Sequence, residues 1–197
     1  YDTALLAPMF IVMSFAFGLA FYILVLIASY TWTDRPLGDL ILNKLRNLLG
    51  IFIASILYFV AVYHVTNLYA TEHHAIERFL LLDGGIYTLL FWIGQILIGG
   101  LIPLALVYMP QTKNCRKTLM VACAMVILGG IAQLYVIIVG GQAFPLEMFP
   151  GMEISSSFFD GEIGQYSPSI WEILLGIGGV AISLLLVTVG VAILDFL

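Results

Sequence analysis

The sequence predicts an all-α, polytopic transmembrane helix bundle with five helices, on three observations. Of its 197 residues, 62% are hydrophobic, only 10% are charged, and five long stretches hold no Asp, Glu, Lys or Arg. An ordinary soluble domain is about 25% charged, so a water-soluble fold is excluded. The uncharged stretches are 3–33, 47–71, 84–112, 118–146 and 173–194. Trimming their polar ends predicts helices near 5–30, 47–69, 86–109, 119–140 and 172–195, all within one transmembrane unit over 1–197. At 1.5 Å per residue each reaches ~33–39 Å, enough to cross a hydrocarbon core of about 30 Å with modest tilt. The hydrocarbon core offers no water to backbone N–H and C=O groups, so runs of this length satisfy themselves as helices.

The connecting segments set the orientation. The first, 34–46, holds Arg35, Lys44 and Arg46, and the third, 110–117, holds Lys113, Arg116 and Lys117. The second has only Arg78 and the fourth, 141–171, has no basic residue. Basic segments stay cytoplasmic, which predicts Tyr1 outside and the C-terminus at Leu197 in the cytoplasm. The fourth segment combines Glu147, Glu153, Asp160 and Glu162 with Phe144, Phe149, Phe158, Phe159 and Tyr166. Acidic and aromatic side chains together, at interface height, predict a docking surface centred on Glu147, Phe158, Phe159 and Asp160. The chain opens at Tyr1 without methionine or a basic n-region before a short apolar core, and it reads as part of a longer protein.

Within the spans, glycines recur at Gly94, Gly99 and Gly100, at Gly129 and Gly130, and at Gly176, Gly178 and Gly179. Small residues let membrane helices approach closely, and that is the role predicted for them. Pro103 predicts a kink. Cys115 and Cys123 form no CxxC pair and have no clustered histidines nearby, so they supply neither an iron–sulfur nor a zinc site. Nucleic acid is not an expected partner of a chain with net charge −5 and no basic surface; the lipid bilayer is.

Ionisable groups inside a membrane are costly, so each is a functional candidate. His64 is the one clearly within a span, about five residues, or ~8 Å, from the outer end of the second helix. A quinone ring needs hydrogen-bond donors to its carbonyls in an aromatic-lined cleft, with a proton-accepting group beside it, and His64 with Tyr58 could meet that need. An interfacial histidine bonded to a neighbouring helix stands as an equal reading. The outer segment beyond it, Glu72-His73-His74-Ala75-Ile76-Glu77-Arg78, places His73 and Glu77 four apart, and His74 and Arg78 likewise, so each pair shares a face of a short helix. Glu72, His73, His74 and Glu77 are proton-handling candidates; as a metal site the spacing is weak, and a plain solvated interface is the default. Gln95 and Gln133 are mid-span amides, expected as glue between helices. All three histidines belong to the second helix and the segment after it, so this chain cannot supply bis-histidine ligation from facing helices, and no haem is expected in it.

Two stretches carry more than composition. Leu134-Tyr135, then Gly140-Gly141-Gln142-Ala143-Phe144-Pro145-Leu146 and on through Phe149-Pro150-Gly151, resembles the end of a late helix in the NrfD/PsrC (polysulfide-reductase-like) membrane subunits. The likeness is nearest to the ten-helix branch that includes DsrP, HmcC and HybB. Leu68-Tyr69-Ala70 with Glu72-His73-His74, Asp83-Gly84-Gly85 with Tyr87, and the opening Leu5-Leu6-Ala7-Pro8-Met9-Phe10 look like the same branch. The resemblance implies a multi-pass subunit of a prokaryotic cytoplasmic membrane, found in respiratory and sulfur-metabolising complexes and not catalytic alone. Such subunits exchange electrons between the quinone pool, menaquinone or ubiquinone, and a ferredoxin-like iron–sulfur subunit docked on the outer face, with other redox subunits such as a multihaem cytochrome. Family members have eight to ten helices, so five imply the C-terminal half, and the resemblance places the exchangeable quinone site largely in the other half. Two alternatives stay open on the residues alone: a small solute or ion transporter, and a structural membrane anchor for redox partners. A transporter shows broken helices and a polar site at mid-membrane, whereas the ionisable groups here crowd the outer interface.

Overall fold

The computed structural model describes residues 3–33, 36–110, 115–145, 163–164 and 166–193, with the side chain of Glu72 left out. Five helices are long and apolar enough to cross a membrane. They are α1 (Leu6–Trp32), α2 (Asp39–Tyr69), α4 (Ile86–Tyr108), α5 (Arg116–Ala143) and α6 (Ile170–Ile193), with a short helix, α3 (His74–Arg78), between the second and third crossings. The bounds depart from the sequence reading most at α2, which starts eight residues before 47. The polar segment Asp39–Arg46 is itself helical: Asp39 stands in the first turn, where the helix dipole favours a carboxylate, and the aliphatic stems of Lys44 and Arg46 allow the helix to continue past the apolar stretch.

The first four crossings pack up-and-down around two apolar clusters, one at each end of the bundle. At the basic end Ile23, Leu49, Ile53, Leu119 and Val126 are buried together; at the opposite end Met9, Met13, Val60, Phe79, Tyr87 and Phe91 are. Arg46 is buried at the basic end with one guanidinium nitrogen 3.5 Å from the Cys115 carbonyl. Arg116 closes the same end by donating to the Leu37 carbonyl at 2.8 Å and to Asp39 at 3.0 Å.

The tightest contact is between α4 and α5. A Cβ added to Gly99 would lie 2.7 Å from the Cα of Gly129, and one on Gly94 would lie 2.8 Å from the Ala132 methyl group. These glycines have the packing role expected of them. Gly176, Gly178 and Gly179 have no such contact within this chain, because nothing among the described residues lies within 4 Å of a Cβ added there. Their helix, α6, buries none of its residues against the other four. It is apolar all round, a surface that lipid solvates as well as protein does. A Ser169–Glu172 capping box starts it: the Ser169 amide donates to Glu172 Oε2 at 2.7 Å and the Glu172 amide to Ser169 Oγ at 3.4 Å.

Three stretches widen from α to π register, with i→i+5 bonding: Phe79–Asp83, Leu90–Leu101 within α4, and Val136–Gly140 within α5. The widened part of α4 ends two residues before Pro103. Proline has no N–H to give and its ring crowds the preceding turn, so the distortion expected of Pro103 takes the form of a π stretch on its N-terminal side. Such widenings cluster at functional sites, and the two within α4 and α5 flank the cavity described next.

Candidate functional site

The site begins with the face of α2 that carries His64 and Asn67. Residues three apart stand one above the other on a helix, so both point the same way, into the bundle. After Tyr69 the chain turns through a 3₁₀ turn, Thr71–His73, and reverses into α3. The reversal is held by the His74 Nε2–H donating to the Leu68 carbonyl at 2.7 Å. It brings Glu77 back against α2. Glu77 Oε2 lies 2.6 Å from His64 Nδ1, and Glu77 Oε1 accepts from Asn67 Nδ2 at 2.8 Å. The carboxylate is 1% exposed, and such depth is tolerable only with hydrogen-bond partners on both oxygens. Phe91 of α4 and Tyr63 each meet the imidazole in an edge-to-face arrangement, at centroid distances of 4.7 and 5.2 Å.

With Nδ1 committed to Glu77, Nε2 is the imidazole nitrogen left for a ligand. His64 lines a cavity of about 930 Å³ bounded by α1, α2, α3, α4 and α5. Its walls are mainly apolar and aromatic, with Met9, Ile76, Phe91 and Phe144 among them, and its polar groups are His64, Tyr63, His73, Gln95, Gln133 and Gln142. Large, mostly apolar concavities with a few convergent polar groups are the general form of a small-molecule site. The cavity lies at the end of the bundle opposite Arg46 and Arg116, and it extends inward from that end.

The structure joins some of the sequence candidates and separates others. His64 and Glu77 form one unit, and His73 lines the same cavity. His74 turns away to the Leu68 carbonyl and Arg78 pairs with Asp83 at 2.8 Å, so the His74–Arg78 spacing does not become a contact pair, and the two oxygens of Glu77 meet His64 and Asn67. No group of three or more metal-ligating side chains forms among the described residues. Tyr58 is 64% exposed and is not among the residues lining the cavity, whereas Tyr63 is. Glu72 has a described backbone only, and Glu147, Phe158, Phe159 and Asp160 lie outside the described residues. Sequence reasoning misses Asn67 and Phe91. The 64/67 spacing on one helix face is a signal for Asn67, and no local signal marks Phe91.

A family model described as polysulphide reductase, NrfD, matches residues 1–146. Over 194 residues the chain is 30% identical to the "Hdr-like menaquinol oxidoreductase integral membrane subunit" of Archaeoglobus fulgidus, covering 97% of this chain and 49% of that protein. Over 154 residues it is 29% identical to a selenate reductase subunit of Mesobacillus selenatarsenatis, covering 77% of this chain and 35% of that protein. The chain thus spans half or less of the length of these relatives, and no solved structure matches it. With a match across most of its length and five membrane-crossing helices, the chain belongs to the polysulphide reductase NrfD family of integral membrane proteins.

Proposed function

We propose that the chain is part of the membrane subunit of a quinone-linked electron-transfer complex, and that its cavity receives the quinone headgroup. The observation that carries this reading is the buried His64–Glu77–Asn67 unit on the wall of a large aromatic cavity. Oxidising a quinol to a quinone releases two electrons and two protons. The electrons pass to an iron–sulfur partner subunit, and the protons need acceptors at the ring oxygens. Glu77 holds Nδ1–H, so His64 Nε2 is free to take a proton from a quinol hydroxyl or, once protonated, to return it to a quinone carbonyl. Glu77 stabilises the imidazolium that forms, as an orienting carboxylate does for a catalytic histidine.

The name of the Archaeoglobus relative supports the ligand class, with menaquinone and ubiquinone both chemically suited. Lys44, Arg46, Arg116 and Lys117 gather at the other end of the bundle, which supports a cytoplasmic basic end, a cytoplasmic C-terminus and a cavity at the outer face of a prokaryotic cytoplasmic membrane. The iron–sulfur partner, with any cytochrome beyond it, docks on that outer face, with Glu147, Phe158, Phe159 and Asp160 as its proposed contacts.

Photolabelling tests the assignment. An azido-quinone illuminated in the purified native complex should cross-link to peptides bearing Tyr63, Phe91 or Phe144, and excess unlabelled quinone should suppress it. Suppressible labelling confined to other parts of the complex would leave this chain as an anchor.

A further inference from the structure

Gln95 and Gln133 are buried without the partners that buried amides require. Gln133 is 2% exposed, Gln95 is 6% exposed, and both line the cavity. Neither is hydrogen-bonded to a described residue, and Gln133 Nε2 is fully buried with no hydrogen-bond partner among them. Glutamines that act as glue between helices bond to the facing helix. These two stand on the tightest helix pair of the bundle, α4 and α5, and do not bond across it. A buried amide nitrogen left unpaired is costly, and Gln133 Nε2, orphaned beside Gln95 on one cavity wall, marks a place where a polar ligand atom belongs.

Their depth says what kind. Gln95 lies nine residues into α4 and Gln133 ten residues before the end of α5, both counted from the cavity end, so each stands roughly 14 Å into the membrane. His64, five residues from the end of α2, stands roughly 8 Å in. The cavity therefore has two polar levels along the membrane normal, ~6 Å apart. The shallow level holds an ionisable pair, and the deep level holds only neutral amides. A charged ligand group at the deep level would meet no counter-charge in a low-dielectric setting, whereas a carbonyl oxygen needs only an N–H. Gln95 and Gln133 are the deepest residues of α4 and α5 that line the cavity, and one turn further in the two helices meet at Gly99 and Gly129.

We infer that Gln95 and Gln133 form an amide clamp that donates hydrogen bonds to the inner carbonyl of a 1,4-dicarbonyl ring whose outer oxygen faces His64. This rests on the proposed quinone reading of the cavity and adds to it the orientation of the ring, one oxygen at the proton-exchanging level and one at the amide level. In the oxidised ring the two oxygens are thereby unequal: the outer carbonyl faces the proton-exchanging His64 Nε2, and the inner carbonyl accepts from neutral donors, a binding contact through which no proton-transfer step is routed. The clamp residues are positioning residues, and their loss acts on affinity and on one carbonyl, not on the His64 level.

The experiment is infrared difference spectroscopy on the native complex loaded with menadione carrying ¹³C at carbonyl 1 or at carbonyl 4. In the wild type both carbonyl bands should be shifted down from the free ligand. In Gln95→Met, Gln133→Met and the double variant, one labelled band should move back towards the free position while the other stays, and menadione affinity should fall about tenfold for the double variant. Both bands unchanged, with menadione still displacing the photolabel from Tyr63 and Phe91, would overturn the clamp and leave the quinone cavity standing. Absence of photolabel from the cavity in the wild type would overturn the quinone reading itself, and the clamp with it. A comparison needing no substitution uses 1-tetralone, which has a single carbonyl. It should bind the wild-type complex about tenfold more weakly than menadione, and equal affinity would contradict two-ended recognition.

Discussion

The carboxylate of Glu77 and the imidazole of His64 meet at 2.6 Å, in a contact that spans thirteen residues and fixes the reversal of the chain at the cavity end of the bundle. Glu77 has two tasks there. It orients His64, and with Asn67 it pins α3 against α2. Glu77→Ala leaves the Asn67 and His64 donors unpaired in a buried setting, which costs on the order of 1–3 kcal/mol. The melting temperature of the purified complex should fall, and Glu77→Gln, which keeps an acceptor for Asn67, should fall less. Because the pair acts as a unit, the double variant with His64→Ala should lose less than the sum of the single losses; strict additivity would mean that the contact contributes nothing.

The contact of α4 with α5 at Gly99 and Gly129 leaves no room for a side chain. Gly99→Val and Gly129→Val should abolish assembly of the complex, because each puts a branched side chain where the other helix's backbone lies. Gly176→Ala and Gly179→Ala, with open space around them, should assemble at wild-type yield. Pull-down of the complex from detergent extracts, scored per cell, distinguishes the two groups.

Cys115 is exposed at the basic end and Cys123 is buried, so labelling of Cys115 reports on the sidedness of this chain. The Thr118 side chain, then the Thr118 and Lys117 backbone N–H groups and the Lys117 charge, hold the Cys115 thiol below its ordinary pKa. A lowered thiol pKa means more thiolate at a given pH, so alkylation should become fast at a lower pH than for a free cysteine. Thr118→Val should move that rise to higher pH. A membrane-impermeant maleimide should label Cys115 in inverted vesicles and leave it untouched in intact spheroplasts. The opposite pattern would reverse the proposed orientation.

Much of the fold is legible in the sequence because lipid imposes one strong rule: a long stretch without charge crosses as a helix. The start of α2 escapes that rule because Asp39, Lys44 and Arg46 sit on a helix that continues beyond the apolar stretch. The site is half legible. His64 stands out as an ionisable group inside a span, and Glu77 as part of a dense polar segment, but their meeting depends on a 3₁₀ turn and a chain reversal that no periodicity encodes. Tyr58 is near His64 in sequence but not in direction. Six residues at 100° each carry it about 240° round the helix from His64, towards the outside, whereas Asn67, three residues on, returns to the same side. Gln95 and Gln133 are each visible as mid-span amides, yet only the packing of α4 on α5 reveals that both open on one cavity and that neither bonds to the other helix.

The central claim is that His64 handles protons for a quinone bound in this cavity. The direct measurement is quinol oxidation, or quinone reduction, per mole of purified intact complex, comparing wild type with His64→Ala. Removing a general base slows turnover by roughly 10²-fold, and that loss is predicted here with the complex still assembled. Wild-type turnover per assembled complex, with any loss confined to yield, would contradict the claim and leave His64 as a packing residue between α2 and α3.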